Sequence, residues 1–209
     1  MSPARVIALA ASSMLASAVG CAPNGEGRVD VRFVRPECPP GTTLDALRGY
    51  GWDAGYFATE RFGDDLIVQI QRHNVDIVEG DSVSFRLELE DLRERGVLER
   101  RGDFFRLTAS PTPLSLGFRR SGPSEAIELL LGVYSICERF PDYVARAGTL
   151  ELDALAIRID GADTGEGERV AGRVRTATLT AWSRPEATFG VLDASFDFEP
   201  PRRPLREFE

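Results

Sequence analysis

Alternation of apolar and polar residues recurs along this chain and is the feature that most constrains its fold. In the stretch 83–90, VSFRLELE, every second residue is apolar. The same period of two recurs in the stretches 66–71, 114–118 and 192–198. Because successive side chains of a strand point to opposite faces, this pattern predicts strands with one face on a core and one face in solvent.

Two further apolar stretches are longer. The stretch 150–159 predicts a strand with an irregularity near Ala154, and the stretch 170–181 predicts a strand whose alternation is less regular. Glycine-containing turns separate most of the strands, at Gly80-Asp81, Arg101-Gly102-Asp103, Ser121-Gly122-Pro123 and 161–167. The sequence therefore predicts a mostly β fold, an antiparallel β-sandwich or barrel-like domain with at most one or two short helices.

Two segments carry helix signals within this β pattern. The segment 43–49 begins with Thr and ends with Gly, which predicts a helix of about two turns. The segment 124–137 fits either a helix that starts at Ser124 or a strand buried on both faces. Gly132 and the surrounding strands favour the strand.

Composition excludes several classes of function. The chain has 209 residues, 43% hydrophobic and 28% charged, which is typical of a globular protein. Its net charge is −8, whereas nucleic-acid-binding proteins usually carry an excess of basic residues, so we expect no nucleic-acid partner. G-x-G-x-x-G, P-loop and H-E-x-x-H motifs are missing from the sequence, and we expect no cofactor and no metal. His73 is the single histidine and no G-x-S-x-G accompanies it, so we expect no catalytic residues and no enzyme.

The N-terminal segment has the pattern of an export signal. Arg5 precedes an apolar run over 6–19, which is shorter than the ~20 residues that cross a bilayer as a helix. The run ends in ASAVGC at 16–21. Its last four residues, Ala18-Val19-Gly20-Cys21, resemble the lipobox of bacterial lipoproteins, in which small residues precede a cysteine. Ala16-Ser17-Ala18 also fits the A-x-A site of soluble secreted proteins, with cleavage after Ala18.

The lipobox resemblance implies a lipid anchor and a cellular location. In bacterial lipoproteins the cysteine thiol carries diacylglycerol, the chain is cut just before it, and the new amine is acylated, commonly with palmitate. For this chain the lipid would sit on Cys21, and Ala22 rather than Asp after it implies the outer membrane, with the domain facing periplasm or cell surface. The chain then divides into a signal peptide (1–20), a tether (21–28), a β-rich domain (29–199) and an irregular tail (200–209).

Cysteine chemistry follows from the same interpretation. The chain contains three cysteines, and lipidation of Cys21 leaves Cys38 and Cys137. In an oxidising periplasm we predict a disulfide between these two, with a pair of buried free thiols as the alternative.

Aromatic residues are densest in the Gly-rich segment 49–57, GYGWDAGYF, interpreted as a loop. Tyr50, Trp52 and Tyr56 could stack on a sugar or a peptide, and this predicts a binding site. In the alternative, Trp52 and Phe57 fill the end of the core while the glycines turn the chain.

Acidic residues cluster in the segment 160–168, DGADTGEGE. Oxygen ligands on a flexible loop suit calcium, but the spacing misses the D-x-D-x-D-G register, and a solvated turn has the same composition. Glycosidases need only two well-placed carboxylates, and the sequence indicates no particular pair.

Three hypotheses of function remain. The first is a membrane-anchored envelope lipoprotein with a non-enzymatic binding or structural β-domain, whose partner is an envelope protein or glycan. The second is a carbohydrate- or peptide-binding module that uses the segment 49–57. The third is an envelope hydrolase with paired carboxylates.

Overall fold

The computed structural model describes residues 25–34, 49–73, 80–118, 125–134, 143–158, 167–181 and 184–200. These residues form twelve strands and one short helix. The strands are β1 (Gly25–Phe33), β2 (Tyr50–Asp53), β3 (Tyr56–Phe62), β4 (Asp65–Gln71), β5 (Ser82–Glu88), β6 (Leu98–Arg101), β7 (Phe104–Leu107), β8 (Thr112–Ser115), β9 (Glu128–Gly132), β10 (Tyr143–Arg158), β11 (Arg169–Ala181) and β12 (Gly190–Phe198). The helix, α1 (Leu89–Glu94), lies between β5 and β6.

The strands pair into an antiparallel sheet whose two ends are consecutive in the chain. The sheet order is β2-β1-β12-β11-β10-β9-β5-β4-β3, with β6, β7 and β8 off this path. Ala54 and Gly55 alone separate the end strands β2 and β3. The amide of Ala54 donates to the carbonyl of Gly27 at 2.8 Å, and the amide of Gly55 donates to the carbonyl of Gln71 at 3.0 Å. The sheet therefore curls until its ends approach, which confirms the predicted mostly β, sandwich or barrel-like class.

The hydrophobic core lies between the two halves of the curled sheet. Phe85 of β5 and Phe196 of β12 have ring centroids 5.3 Å apart, although β9, β10 and β11 separate their strands in the sheet order. Phe57 of β3 stacks on Phe198 of β12 with centroids 4.9 Å apart. Because these four rings are buried, each contributes about 1.5–3 kcal/mol to folding relative to an exposed ring.

The strand β10 joins the two halves. On one edge it pairs with β11, and on the other edge it pairs with β9, β8 and β7 at different points along its length. Register shifts interrupt the pairing of β10 with β11, and one of them lies between Leu152 and Ala154. This confirms the irregularity predicted near Ala154. Such shifts bend a strand and increase its twist, which lets the sheet curl.

The alternating stretches predicted most of the long strands. Strands β4, β5, β10, β11 and β12 form where alternation or apolar content indicated them. The prediction for 83–90 was wrong at its end, because α1 begins at Leu89 and buries Leu89 and Leu92 on one face. The strand predicted over 114–118 ends at Ser115.

Three further predictions concern segment boundaries. The strand interpretation of 124–137 is confirmed for its central part, Glu128–Gly132, where β9 lies, and residues 124 and 135–137 lie outside the described ranges. Residues 43–48 of the predicted helix also lie outside them. Strand β1 begins at Gly25, inside the stretch interpreted as a tether, because Val29, Val31 and Phe33 of this strand are buried in the core.

In the described ranges, we find no helix with the length and apolar character needed to cross a membrane.

Candidate functional site

A groove of about 590 Å³ crosses the outer face of β1, β12 and β11. It is lined by Gly25, Glu26, Gly27, Arg28, Asp53, Ala54, Asp153, Arg169, Ala171, Gly172, Arg173, Ser195, Phe196 and Asp197. Two small residues, the buried Ala171 and the exposed Ser195, line the groove together with longer charged side chains. This volume lies in the range of ligand sites in proteins, although its lining is more polar than most.

Two glycines allow backbone and aromatic rings to pack closely beneath this groove. Gly27 of β1 and Gly172 of β11 lie directly opposite Phe196 on either side. A Cβ atom on Gly172 would lie 2.5 Å from the carbonyl oxygen of Glu151, and one on Gly27 would lie 3.1 Å from the ring of Phe57. Glycine is therefore required at both positions if the aromatic rings are to pack beneath the groove.

Arg169 and Asp197 form a two-point ion pair at the groove. Nε of Arg169 donates to Oδ1 of Asp197 at 2.8 Å, and Nη2 donates to Oδ2 at 2.5 Å. The hydrogen bond from Arg169 lowers the pKa of Asp197 and outweighs the opposing effect of burial. The same hydrogen bond raises the pKa of Arg169. Asp197 is therefore an ionised acceptor at neutral pH.

The other two arginines of the groove are also held by carboxylates. Nη2 of Arg173 donates to the two carboxylate oxygens of Asp153 at 3.0 and 3.1 Å. Arg28 lies between Asp30 and Asp53, to which it donates from Nε at 2.9 Å and from Nη1 at 3.0 Å. The hydrogen bond to Asp30 is the largest of the effects that raise the pKa of Arg28.

Glu26 differs from the other carboxylates of the groove. Within the described part of the chain it forms no ion pair, and it lies directly opposite Asp197 in the register of β1 with β12. Like charges at opposite positions of two strands repel each other. The groove thus combines three arginines with four carboxylates and has an excess negative charge at Glu26.

The three aromatic residues predicted to bind a ligand lie elsewhere. Trp52 is 3% exposed and belongs to the core, as does Phe57, which is what the packing alternative expects. The hydroxyl of Tyr50 donates to the buried carboxylate of Asp81. Tyr56 is half-buried at the start of β3. Ligand binding by Tyr50, Trp52 and Tyr56 stays a prediction.

The segment 49–57 is built mainly of strand rather than loop. It consists of β2, the link Ala54-Gly55 and the start of β3. Its contribution to the groove comes from Asp53 and Ala54 and not from its rings. Arg72 completes the polar cluster at Tyr50, because its Nη1 donates to the Tyr50 hydroxyl at 3.0 Å.

The cysteines lie outside the described residues. Lipidation of Cys21 and the disulfide between Cys38 and Cys137 therefore stay predictions. Most of the acidic segment 160–168 also lies outside them. Its last residue, Glu168, accepts a hydrogen bond from the amide of Arg158 at 2.8 Å.

Sequence reasoning did not find the charged residues of the groove. Arg169 and Arg173 occupy outward positions of β11, where alternation alone indicates a solvated face. Their partners Asp197 and Asp153 are 28 and 20 positions away in the chain. Only the register of β11 with its neighbours brings these charges together, so a pattern confined to one strand carries no signal for the site.

The groove has the chemistry of a polar binding surface. Its ion pairs fix donors and acceptors in place, which favours recognition of a charged or strongly polar ligand. Among the residues that the structure describes, no group of three or more His, Cys, Asp or Glu side chains is placed to hold a metal ion. Comparison with protein-family models, with curated proteins and with solved structures gives no match to this chain.

Proposed function

We propose that this protein is a bacterial lipoprotein, anchored to the outer membrane through lipid on Cys21, with a non-enzymatic β-domain that binds an envelope ligand. The lipobox-like residues 18–21 behind a short apolar run carry this proposal. Two or three acyl chains hold a protein stably in a bilayer, whereas one chain gives marginal binding.

The start of β1 supports the link between anchor and groove. Gly25 is the first residue of β1 and also lines the groove. Four peptide units separate it from Cys21 and can span at most about 15 Å. An acylated Cys21 would therefore keep the groove near the headgroup layer of the membrane.

The electrostatics of the groove support binding rather than acid–base chemistry. A general acid that works near neutral pH needs a pKa close to that pH. The ion pair with Arg169 instead lowers the pKa of Asp197, so this carboxylate is suited to accept hydrogen bonds. Asp53 and Ala54 also line the groove, and this favours, as a second candidate, a carbohydrate- or peptide-binding module served by the segment 49–57.

Fractionation of cells that express Cys21→Ser tests the anchoring. We expect the wild-type chain in the membrane fraction in a form that detergent, but not high salt, releases. Cys21→Ser should lose this behaviour because the lipid acceptor is gone. Cys38→Ser is the control, since it also replaces one cysteine by serine but leaves the lipid acceptor Cys21 in place, and it should fractionate like wild type. If Cys21→Ser stayed as firmly bound as Cys38→Ser, the proposal would be wrong.

A further inference from the structure

We infer that the groove binds a zwitterionic phosphoethanolamine headgroup, with the phosphate on Arg169 and Arg173 and the ammonium on Glu26 and Asp197. This inference rests on the proposed anchoring, because a lipid on Cys21 would place the groove beside such headgroups.

The arginines offer free donors for a phosphate. Arg169 engages Asp197 through Nε and Nη2, and Arg173 engages its carboxylates through Nε and Nη2. Nη1 of each arginine therefore makes no bond to the described residues. The two side chains are 56% and 44% exposed, so an anion can reach them from solvent. Guanidinium groups are well suited to phosphate oxygens.

The carboxylates offer a place for an ammonium group beside that phosphate. Glu26 and Asp197 lie directly opposite each other, and Arg169 neutralises Asp197 alone. A cation next to Glu26 would relieve the repulsion between the two carboxylates. Neighbouring strands lie about 4.8 Å apart. Asp197 of β12 lies on the strand next to Arg169 and Arg173 of β11, and Glu26 of β1 lies one strand further, at about twice that distance. The zwitterion would therefore lie across the strands, with its phosphate over β11 and its ammonium group toward β12 and β1.

The charge of the whole chain favours a zwitterion over an anionic headgroup. The net charge is −8, so anionic phospholipids are repelled at long range. Within the groove, three arginines face four carboxylates, and a ligand that carried phosphate alone would leave Glu26 uncompensated. A ligand with both charges satisfies the two halves of the groove.

Titration with water-soluble headgroups tests this inference. The full chain, kept in a non-ionic detergent, is titrated with glycerophosphoethanolamine, glycerophosphoglycerol and inorganic phosphate, with binding followed by calorimetry. We expect glycerophosphoethanolamine to bind at least about tenfold more tightly than the other two, a difference of about 1.4 kcal/mol. Equal binding of the three would indicate a simple anion site and would overturn the inference, as would the lack of any binding.

Matched variants locate the binding. Arg169→Ala should weaken binding of glycerophosphoethanolamine about tenfold, and Glu26→Gln should reduce its preference over glycerophosphoglycerol. Arg101→Ala is the control, because Arg101 is an ion-paired arginine of β6 with 72% exposure that does not line the groove. An equal loss in Arg101→Ala and Arg169→Ala would contradict the assignment.

The two proposals fail in different ways. A chain that is acylated on Cys21 but binds none of the three probes would overturn the headgroup inference and leave the anchoring intact. A chain without acylation that still binds glycerophosphoethanolamine at Arg169 would overturn the anchoring and support the assignment of the ligand.

Discussion

Phe196 fills the core beneath the groove because glycine lies on both sides of it. Gly172→Ala would place a Cβ atom 2.5 Å from the carbonyl oxygen of Glu151 and 3.1 Å from the Phe196 ring. Overpacking of this kind costs about 1–3 kcal/mol. We therefore expect Gly172→Ala to lower the free energy of unfolding by that amount, measured by chemical denaturation. Gly49→Ala is the control, since among the described residues, its chain neighbours aside, no atom lies within 4 Å of the added Cβ, and it should change the free energy of unfolding by less than about 0.5 kcal/mol.

We predict that the pKa of Asp197 depends on its ion pair with Arg169. In the folded protein the hydrogen bond from Arg169 lowers this pKa from the ordinary value of 3.8. A lowered pKa means that the pair stabilises the fold at pH values above 3.8, and that this stabilisation is lost as the pH falls through the lowered pKa. Arg169→Ala should raise the pKa of Asp197 toward 3.8, as measured by NMR titration of the carboxyl carbon. Arg175→Ala should leave it unchanged, and the same shift in both variants would contradict the pairing.

Two adjacent bulges bend the long strands β10 and β11. Gly148 in β10 has a φ of 141°, and Thr176 in β11 has a φ of 53°. A Cβ on Gly148 would lie 2.7 Å from Cα of Ala177, so the two irregular sites face each other across the strand pair. The amide of Thr176 donates to Oδ1 of Asp193 at 2.8 Å, which satisfies a donor that the ladder leaves out. These bulges let the long strands curve around the core.

Because Thr176 has a left-handed conformation, we expect replacement by glycine to have opposite effects on stability at Thr176 and at Thr178. A β-branched residue at positive φ costs roughly 1 kcal/mol or more, and glycine avoids this cost. Thr176→Gly should therefore raise the midpoint of thermal unfolding. Thr178→Gly, in the same strand but without a positive φ, should lower it, because glycine weakens a regular strand. If both variants lowered the midpoint equally, Thr176 would carry no backbone strain.

The sequence predicted elements where one face of a strand meets the core. Leu66, Val68 and Ile70 of β4 are buried, whereas Asp65, Ile67 and Gln69 are half-buried, so over most of this strand the alternation follows the packing against the core. The start of β1 was not predicted, because the glycines at 25 and 27 made this stretch resemble a spacer. The helix α1 escaped because Leu89 also continues the alternation of β5, and six residues show too little helical period.

The charged residues of the groove could not be predicted from the sequence, for a physical reason. Arg28 and Asp53 are 25 positions apart, and Arg169 and Asp197 are 28 positions apart. Each pair forms only after strands from distant parts of the chain have paired. The sequence holds the charges but not the register that brings them together.

In the whole molecule, the proposed lipid anchor and the polar groove lie close together in the chain. The lipobox-like residues end at Cys21, β1 begins at Gly25, and the first residues of β1 line the groove. If Cys21 carries lipid, the membrane-facing part of the domain and its candidate site coincide. If it does not, the groove has no fixed relation to a membrane.

Intact-mass analysis of the protein purified from the membrane fraction shows whether Cys21 carries lipid. We expect a chain that begins at Cys21 and has added mass equal to diacylglycerol, with or without a third acyl chain on the amine. Cys21→Ser should show no such addition. A mature chain that begins at Val19 and has an unmodified Cys21 would contradict the account.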